Sequence, residues 1–319
     1  MWMEVPTEAF NTIWYFCMYS LMAVPLTLSY RISKVLNFAH GVYITIGAYA
    51  PILVAIALNA RISPFVAVPF AFLVGAAVAL AAHMLVFSPL TKRNSSPVTL
   101  MIASMGAWIF IKYAFYALLD ILQKAWSTPL FYTTSNVNIP EQIEVVGLVL
   151  NAKFLMVVGL TSLSLSLLLV FLTRTKLGMA LRAIADNSDL AQISGISKEQ
   201  VLRVTWIISG GIAAISGFIW SLFSYVSPEV GDTVILQVFA CSVIGGLTSV
   251  PLTVVGALVI SSAENLFILV LYRFFSVPLS FRPFLSFLAL LITILVRPPA
   301  GAGGGLPYRY RLRQLRRGD

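Results

Sequence analysis

Charge is what this chain has least of. Only 10% of its 319 residues are Asp, Glu, Lys or Arg, against about 25% in a soluble globular domain. Cysteine is nearly absent. Cys17 and Cys241 both lie inside apolar runs, so neither a disulfide framework nor a thiolate metal box is implied, and both read as small core residues. Histidine is equally rare: His40 and His83 stand far apart, with no H-E-x-x-H pattern and no implied zinc site. No G-x-x-x-x-G-K-[ST] loop occurs. The GAGGG run at 301–305 lacks the lysine, so the chain is not expected to hydrolyse nucleotide by that route. No G-x-S-x-G elbow is present. Catalysis is therefore poorly supported, and no cofactor is expected on this chain. The opening residues include Glu4 and Glu8 and lack a basic n-region, so no cleavable signal is expected.

Hydrophobic length is what the chain has instead. It is 59% hydrophobic with mean hydropathy +0.91. The apolar residues fall in runs of roughly 20, the length a helix needs to cross about 30 Å of hydrocarbon. The expected fold is an all-α membrane protein: one polytopic helical bundle of about 8–10 transmembrane segments, some short or broken. The spans are expected near 10–30, 38–60, 64–87, 97–119, 153–172, 204–226, 233–246, 252–272 and 283–296. The seventh is short for a full crossing and reads as broken or re-entrant, tolerable only where it faces protein or water. Ser63-Pro64 and Ser96-Pro97 carry the N-cap and first-turn proline that start helices.

The net charge of +9 then speaks of orientation and anionic lipid rather than nucleic acid. With the N-terminus outside and every span crossing, 15 of the 21 basic residues fall inside. They include Arg31, Lys34, Lys92, Arg93, five in the loop 173–203, and six in Arg297 and the tail 298–319. Arg61, Lys112, Lys124, Lys153, Arg273 and Arg282 are left for the outer side and span ends. This asymmetry predicts a cytoplasmic C-terminus. The outer loop 120–152, with Glu141 and Glu144, is long enough to meet a partner or to act as a passive lid. Small residues recur every four positions in three spans: Ser209, Ala213, Gly217 and Ser221; Ala71, Gly75, Ala79 and His83; Thr253, Ala257, Ser261 and Asn265. These stripes predict close helix packing.

The loop 173–203 is the longest polar insertion between spans on the basic side. Helix formers fill 178–185, and Asp186, Asn187 and Ser188 offer cap oxygens for a second short helix over 189–193. Gly195 can end that helix in the left-handed region. Ser197, with Gln200 three residues on, forms a capping box for the next span. A solvated connector and a docking surface are both open readings, but a connector needs neither two capped helices nor 31 residues.

At membrane depth, polar or breakable residues mark candidate sites. The first set is Asn37, His40 and Gly41, where Asn37 can cap the following helix and expose N–H groups to an anionic ligand. The second is the stretch 233–246, where Gln237, Ser242 and the pair Gly245 and Gly246 interrupt an apolar run. The third is Glu264 with Asn265, either paired structurally or lining a path. Tyr49 is a candidate gating aromatic.

Four stretches then carry a resemblance: LNFAHGVYITIGAYA (36–50), GMALRAIADNSDLAQISGI (178–196), IGGLTSVPLTVVGALVISSAENL (244–266) and LVRPPAG (295–301). In order and spacing they resemble the permease subunits of branched-chain amino-acid ABC importers, from about Phe10 to Gly301. The resemblance implies a pair of permease subunits (hetero- or homodimer), two cytosolic ATPases that use ATP, and an extracytoplasmic substrate-binding protein, all at a cell membrane. It implies that 173–203 is the coupling loop, with Gly178, Arg182, Ala183, Asp186, Asn187, Ala191 and Gly195 as coupling residues. It places the path near Asn37, His40, Gly41, Gly245 and Gly246. Val42, Thr248 and Leu252 depart from the family pattern near that path. Related permeases serve urea, amides and other amino acids. A stand-alone carrier or channel is the rival class, and would work without ATPases.

Overall fold

A computed structural model describes residues 4–60, 62–135, 137, 142–145 and 148–296. The chain runs α1 (Glu4–Ser33), α2 (His40–Ala57), α3 (Pro64–Ala82), a π turn (His83–Phe87) and α4 (Ser88–Lys92), then α5 (Pro97–Trp126). A hairpin of β1 (Gln142–Val145) and β2 (Leu148–Asn151) precedes α6 (Ala152–Arg174). Two short helices follow, α7 (Lys176–Asp186) and α8 (Ser188–Ile193), then α9 (Lys198–Ser221) and α10 (Val230–Ile244). The last elements are α11 (Val250–Ser262), a second π turn (Ala263–Phe267), α12 (Ile268–Phe275) and α13 (Arg282–Val296).

Among the described residues, eight helical stretches are long and apolar enough to cross a membrane, and α10 is a shorter apolar helix. The chain is a multi-pass α-helical membrane bundle. The third expected span runs on from Phe87 to Lys92, because the π turn continues the helix. The fourth extends to Trp126. The expected all-helical chain also contains the hairpin in its outer loop. Its signal is hidden in the sequence because four-residue strands leave too few alternations to read. Glu141, Arg297 and the tail 298–319 lie outside the described residues, as does the side chain of Glu144.

The interior is built from α1, α2 and α9, whose apolar windows are each 78% buried, while those of α5 and α6 are 22% buried and that of α13 11%. The first three thus form the protein core, and the others face lipid or another chain. Small residues explain the inner packing. A side chain at Gly217 would strike the carbonyl of Ile44, and one at Gly75 would strike Ala214 and Gly210, so α9 touches α2 and α3 backbone to backbone. Thr253 and Thr27 share a hydroxyl hydrogen bond at 2.9 Å, joining α11 to α1. Cys17 and Cys241 are buried free thiols.

Candidate functional site

The middle of α1 is the structural anchor for the membrane-depth polar residues. Pro25 has no N–H, so the helix ladder is interrupted there. The carbonyl that loses its helix donor is that of Leu21, four residues back, and three donors from three other helices reach carbonyls in the same stretch of α1. His40 Nε2 lies 2.8 Å from Met22 O, Ser242 Oγ donates to Ala23 O at 3.2 Å, and Ser209 Oγ donates to Pro25 O at 2.5 Å. A carbonyl can only accept, so His40 carries its proton on Nε2 in this bond. His40 is fully buried.

Asn37 sits in the non-helical segment between α1 and α2. Its Oδ1 accepts from Ala39 N at 3.0 Å, which closes the turn before α2, whereas the N-cap position itself, Ala39, has no side-chain cap. The expected cap therefore acts on the turn that leads into the helix and not on the helix itself. Gly41 packs against the backbone of Gly231, where an added Cβ would lie 3.0 Å from Gly231 O. Gly245 and Gly246 form the turn from α10 to α11. Gly246 takes φ +73°, which L side chains rarely adopt, and Gly245 abuts Thr253. Tyr49 Oη donates to Leu130 O at 2.8 Å, so it ties α2 to the segment after α5.

The third set behaves differently. Glu264 and Asn265 line one cavity of about 280 Å³ with Gln237 of the second set and with Tyr15, Tyr19, Trp220 and Arg282. The consecutive residues Glu264 and Asn265 lie in the second π turn, and both are buried. Tyr19 Oη and Ser286 Oγ each donate to Glu264 at 2.5 Å. Asn265 Nδ2 donates to Ser261 O at 2.9 Å, while its Oδ1 is buried with no partner. The structure thus brings three of the expected path residues to one cavity and sets the other five into helix packing and turns.

At the end where α1 finishes, α7 and α8 form a capped knuckle. Thr175 Oγ1 accepts from Gly178 N at 3.0 Å and starts α7. Asn187 Oδ1 accepts from Asp189 N and Leu190 N at 3.1 and 3.0 Å and starts α8. Gly195 follows with φ +86°. Ser197 Oγ accepts from Gln200 N at 3.4 Å and starts α9. Of the seven expected coupling residues, Gly178 and Ala191 are buried; a Cβ at Gly178 would strike Phe171 O, so Gly178 lets α7 fold back on α6. Arg182 and Ala183 are half-buried. Asp186 is exposed and reaches Arg31 of α1 at 3.3 Å. Nearby Lys34, outside the spans, has its pKa lowered by burial and then by the Arg31 charge.

Two groups are not evident from sequence. Leu177, Met179, Leu190 and Ile193 are 46%, 50%, 62% and 85% exposed on the knuckle, an apolar surface among polar residues. Their spacing on two short helices is the available signal. The other group is Lys112 of α5, which joins Asp232 at the start of α10. Its position inside an apolar run, rather than at a span end, is the signal for it.

A family model described as branched-chain amino acid transport system / permease component matches residues 9–296. The chain belongs to this family. It is 31% identical over 280 residues to the probable branched-chain amino acid transport permease protein LivH of Methanocaldococcus jannaschii, covering 87% of this chain and 86% of that one. It is 26% identical over 298 residues to the high-affinity branched-chain amino acid transport system permease protein LivH of Escherichia coli K12, covering 91% and 93%. The corresponding protein BraD of Pseudomonas aeruginosa is 26% identical over 258 residues, covering 77% and 80%. The chain is accordingly a multi-pass membrane permease.

Proposed function

We propose that this permease is the membrane subunit of an ATP-driven importer for branched-chain amino acids. In this reading it pairs with a second permease subunit, receives solute from an extracytoplasmic binding protein and is driven by two cytosolic ATPases. The observation that carries it is the apolar surface of the knuckle. Leu177, Met179, Leu190 and Ile193 are exposed on capped helices outside the spans. Exposed apolar groups clustered on a rigid, water-facing element favour a protein partner. The abundance of basic residues on the same side favours a cytosolic location, with the N-terminus outside and the C-terminus in the cytosol.

The knuckle is built to pass motion on. Through Thr175 and Gly178 it is held to α6, through Ser197 it leads directly into α9, and through Asp186 it reaches α1. A push on α7 and α8 therefore acts on the helices that enclose the cavity and the α1 anchor. Alternating access follows if that push reorients α1 and α9 relative to α10 and α13. The ATP is bound and hydrolysed by the partner subunits.

The test is ATP-driven leucine uptake by the reconstituted four-subunit complex with its binding protein. Wild-type complex takes up leucine. With Leu190→Asp and Ile193→Asp together, uptake falls at least about tenfold, since two buried apolar contacts contribute more than about 1.4 kcal/mol. Unchanged uptake in that double variant, or full uptake without ATPases, overturns the reading.

A further inference from the structure

Lys112 is a charge where a span should have none. α5 begins at Pro97, just after Lys92 and Arg93, and returns to a polar environment at the Asp120–Lys124 pair. At 1.5 Å per residue, Lys112 lies about 22 Å along the helix from Pro97 and about 12 Å short of Asp120. It is therefore within the membrane, in the half nearer the segment after α5. Its Nζ lies 2.5 Å from Asp232 Oδ2 and 4.0 Å from Glu229 Oε1. Trp108 Nε1 donates to Asp232 Oδ1 at 2.8 Å, and Tyr116 Oη donates to Glu229 Oε1 at 3.1 Å. The rings of Trp108 and Tyr116 lie 5.7 and 5.9 Å from Nζ.

The two carboxylates are not equivalent. Asp232 is tied to both Lys112 and Trp108. Glu229 has a phenol and a cation at the limit of contact, and its side chain is 60% exposed. One cation between two carboxylates leaves one negative charge over. Facing hydrocarbon, that charge would cost several kcal/mol, so the open side of the cluster faces water or protein. The adjoining face of α5 is apolar and uncovered: Ile102, Met105, Ile109 and Tyr113 are all exposed.

We propose that Glu229 and Lys112 are a recognition site for the two charges of a free α-amino acid at the extracytoplasmic half of the permease. This rests on the reading of the chain as an amino-acid importer, and it adds which side chains read the solute's head group. Glu229 receives the α-ammonium. Lys112, shared with Asp232, receives the α-carboxylate. The solute's side chain lies along the apolar face of α5. Asp232 and Trp108 are positioning residues that hold Lys112. A solute lacking the ammonium leaves Glu229 without its new cation, and one lacking the carboxylate forgoes the contact with Lys112, so the site discriminates against amines and acids of the same carbon skeleton.

The experiment is equilibrium binding of radiolabelled leucine to the purified complete complex without its binding protein, competed by 3-methylbutylamine and 4-methylpentanoate. Wild-type complex prefers leucine to each analogue by about tenfold or more, the worth of one charged hydrogen bond. Glu229→Gln removes a charge from an exposed position and keeps assembly. It weakens leucine binding about tenfold, to the level of 4-methylpentanoate. The swapped pair Lys112→Asp with Asp232→Lys separates a recognition role from a structural one. It keeps the ion pair and the assembled complex yet fails to bind leucine. Leucine binding at wild-type strength in either variant overturns the proposal, as does a wild-type complex that binds the three solutes equally while still importing leucine. A wild-type complex that does not import leucine with ATP removes the importer reading, and this proposal with it.

Discussion

Two polar sets lie at membrane depth, and they differ in what they face. The set around Pro25 of α1 is spent on helix packing, although the Nδ1 of His40 is buried there without a partner. His40, Ser242 and Ser209 each spend a donor on an α1 carbonyl, and Asn37 and Gly41 complete the approach to α2 and α10. The set around Glu264 is open. It lines a cavity of about 280 Å³, and the Oδ1 of Asn265 has no partner there. The difference teaches that polarity at membrane depth has two uses here. One ties α2, α9 and α10 to α1, and the other lines a cavity in which a buried acceptor stays unmet.

That contrast makes unequal predictions. Gly41→Leu forces a side chain into the backbone of Gly231 and should cost about 3 kcal/mol. Assembled protein should be nearly lost in size-exclusion profiles of detergent extracts; a normal profile would break the view of the α1 set as packing. His40→Ala leaves Met22 O without its donor and should cost about 2 kcal/mol. Its melting temperature should fall while uptake per assembled molecule stays within about twofold of wild type, a difference of under about 0.5 kcal/mol in barrier. A large loss of uptake at normal stability would move His40 into the path. Glu264→Gln keeps the shape and removes the charge, but its amide nitrogen cannot accept, so only one of the hydroxyls of Tyr19 and Ser286 keeps its acceptor. Stability should fall by about 1 kcal/mol, and uptake per molecule should fall about fivefold, or roughly 1 kcal/mol in barrier. Wild-type uptake with a lowered melting temperature would make the cavity a second structural set.

Local features are legible in the sequence, and distant pairings are not. Asn187 and Gly195 work through neighbours within three residues, so cap chemistry alone is enough to locate α8. The π turns are not legible, because an extra residue in a helical turn leaves the apolar pattern of α11 and α12 nearly unchanged. Tyr19 and Glu264 are 245 positions apart, and Lys112 and Asp232 are 120 apart. Single residues such as Glu264 stand out in one chain, but their partners do not. His40 illustrates the same limit. Its rarity marks it in the sequence, while its role depends on the buried carbonyl of Met22 in another helix.

The knuckle bears the most weight, since the proposed function has the work of transport enter there. Both native thiols are buried, so a cysteine placed at Ile193 supplies a single reactive reporter. The deciding measurement is its labelling by a membrane-impermeant maleimide in sealed vesicles of each orientation, with and without the ATPase subunits. The account predicts labelling only from the cytosolic face, and protection when the ATPases are bound. Labelling from the outside, or equal labelling with the ATPases present, would contradict it.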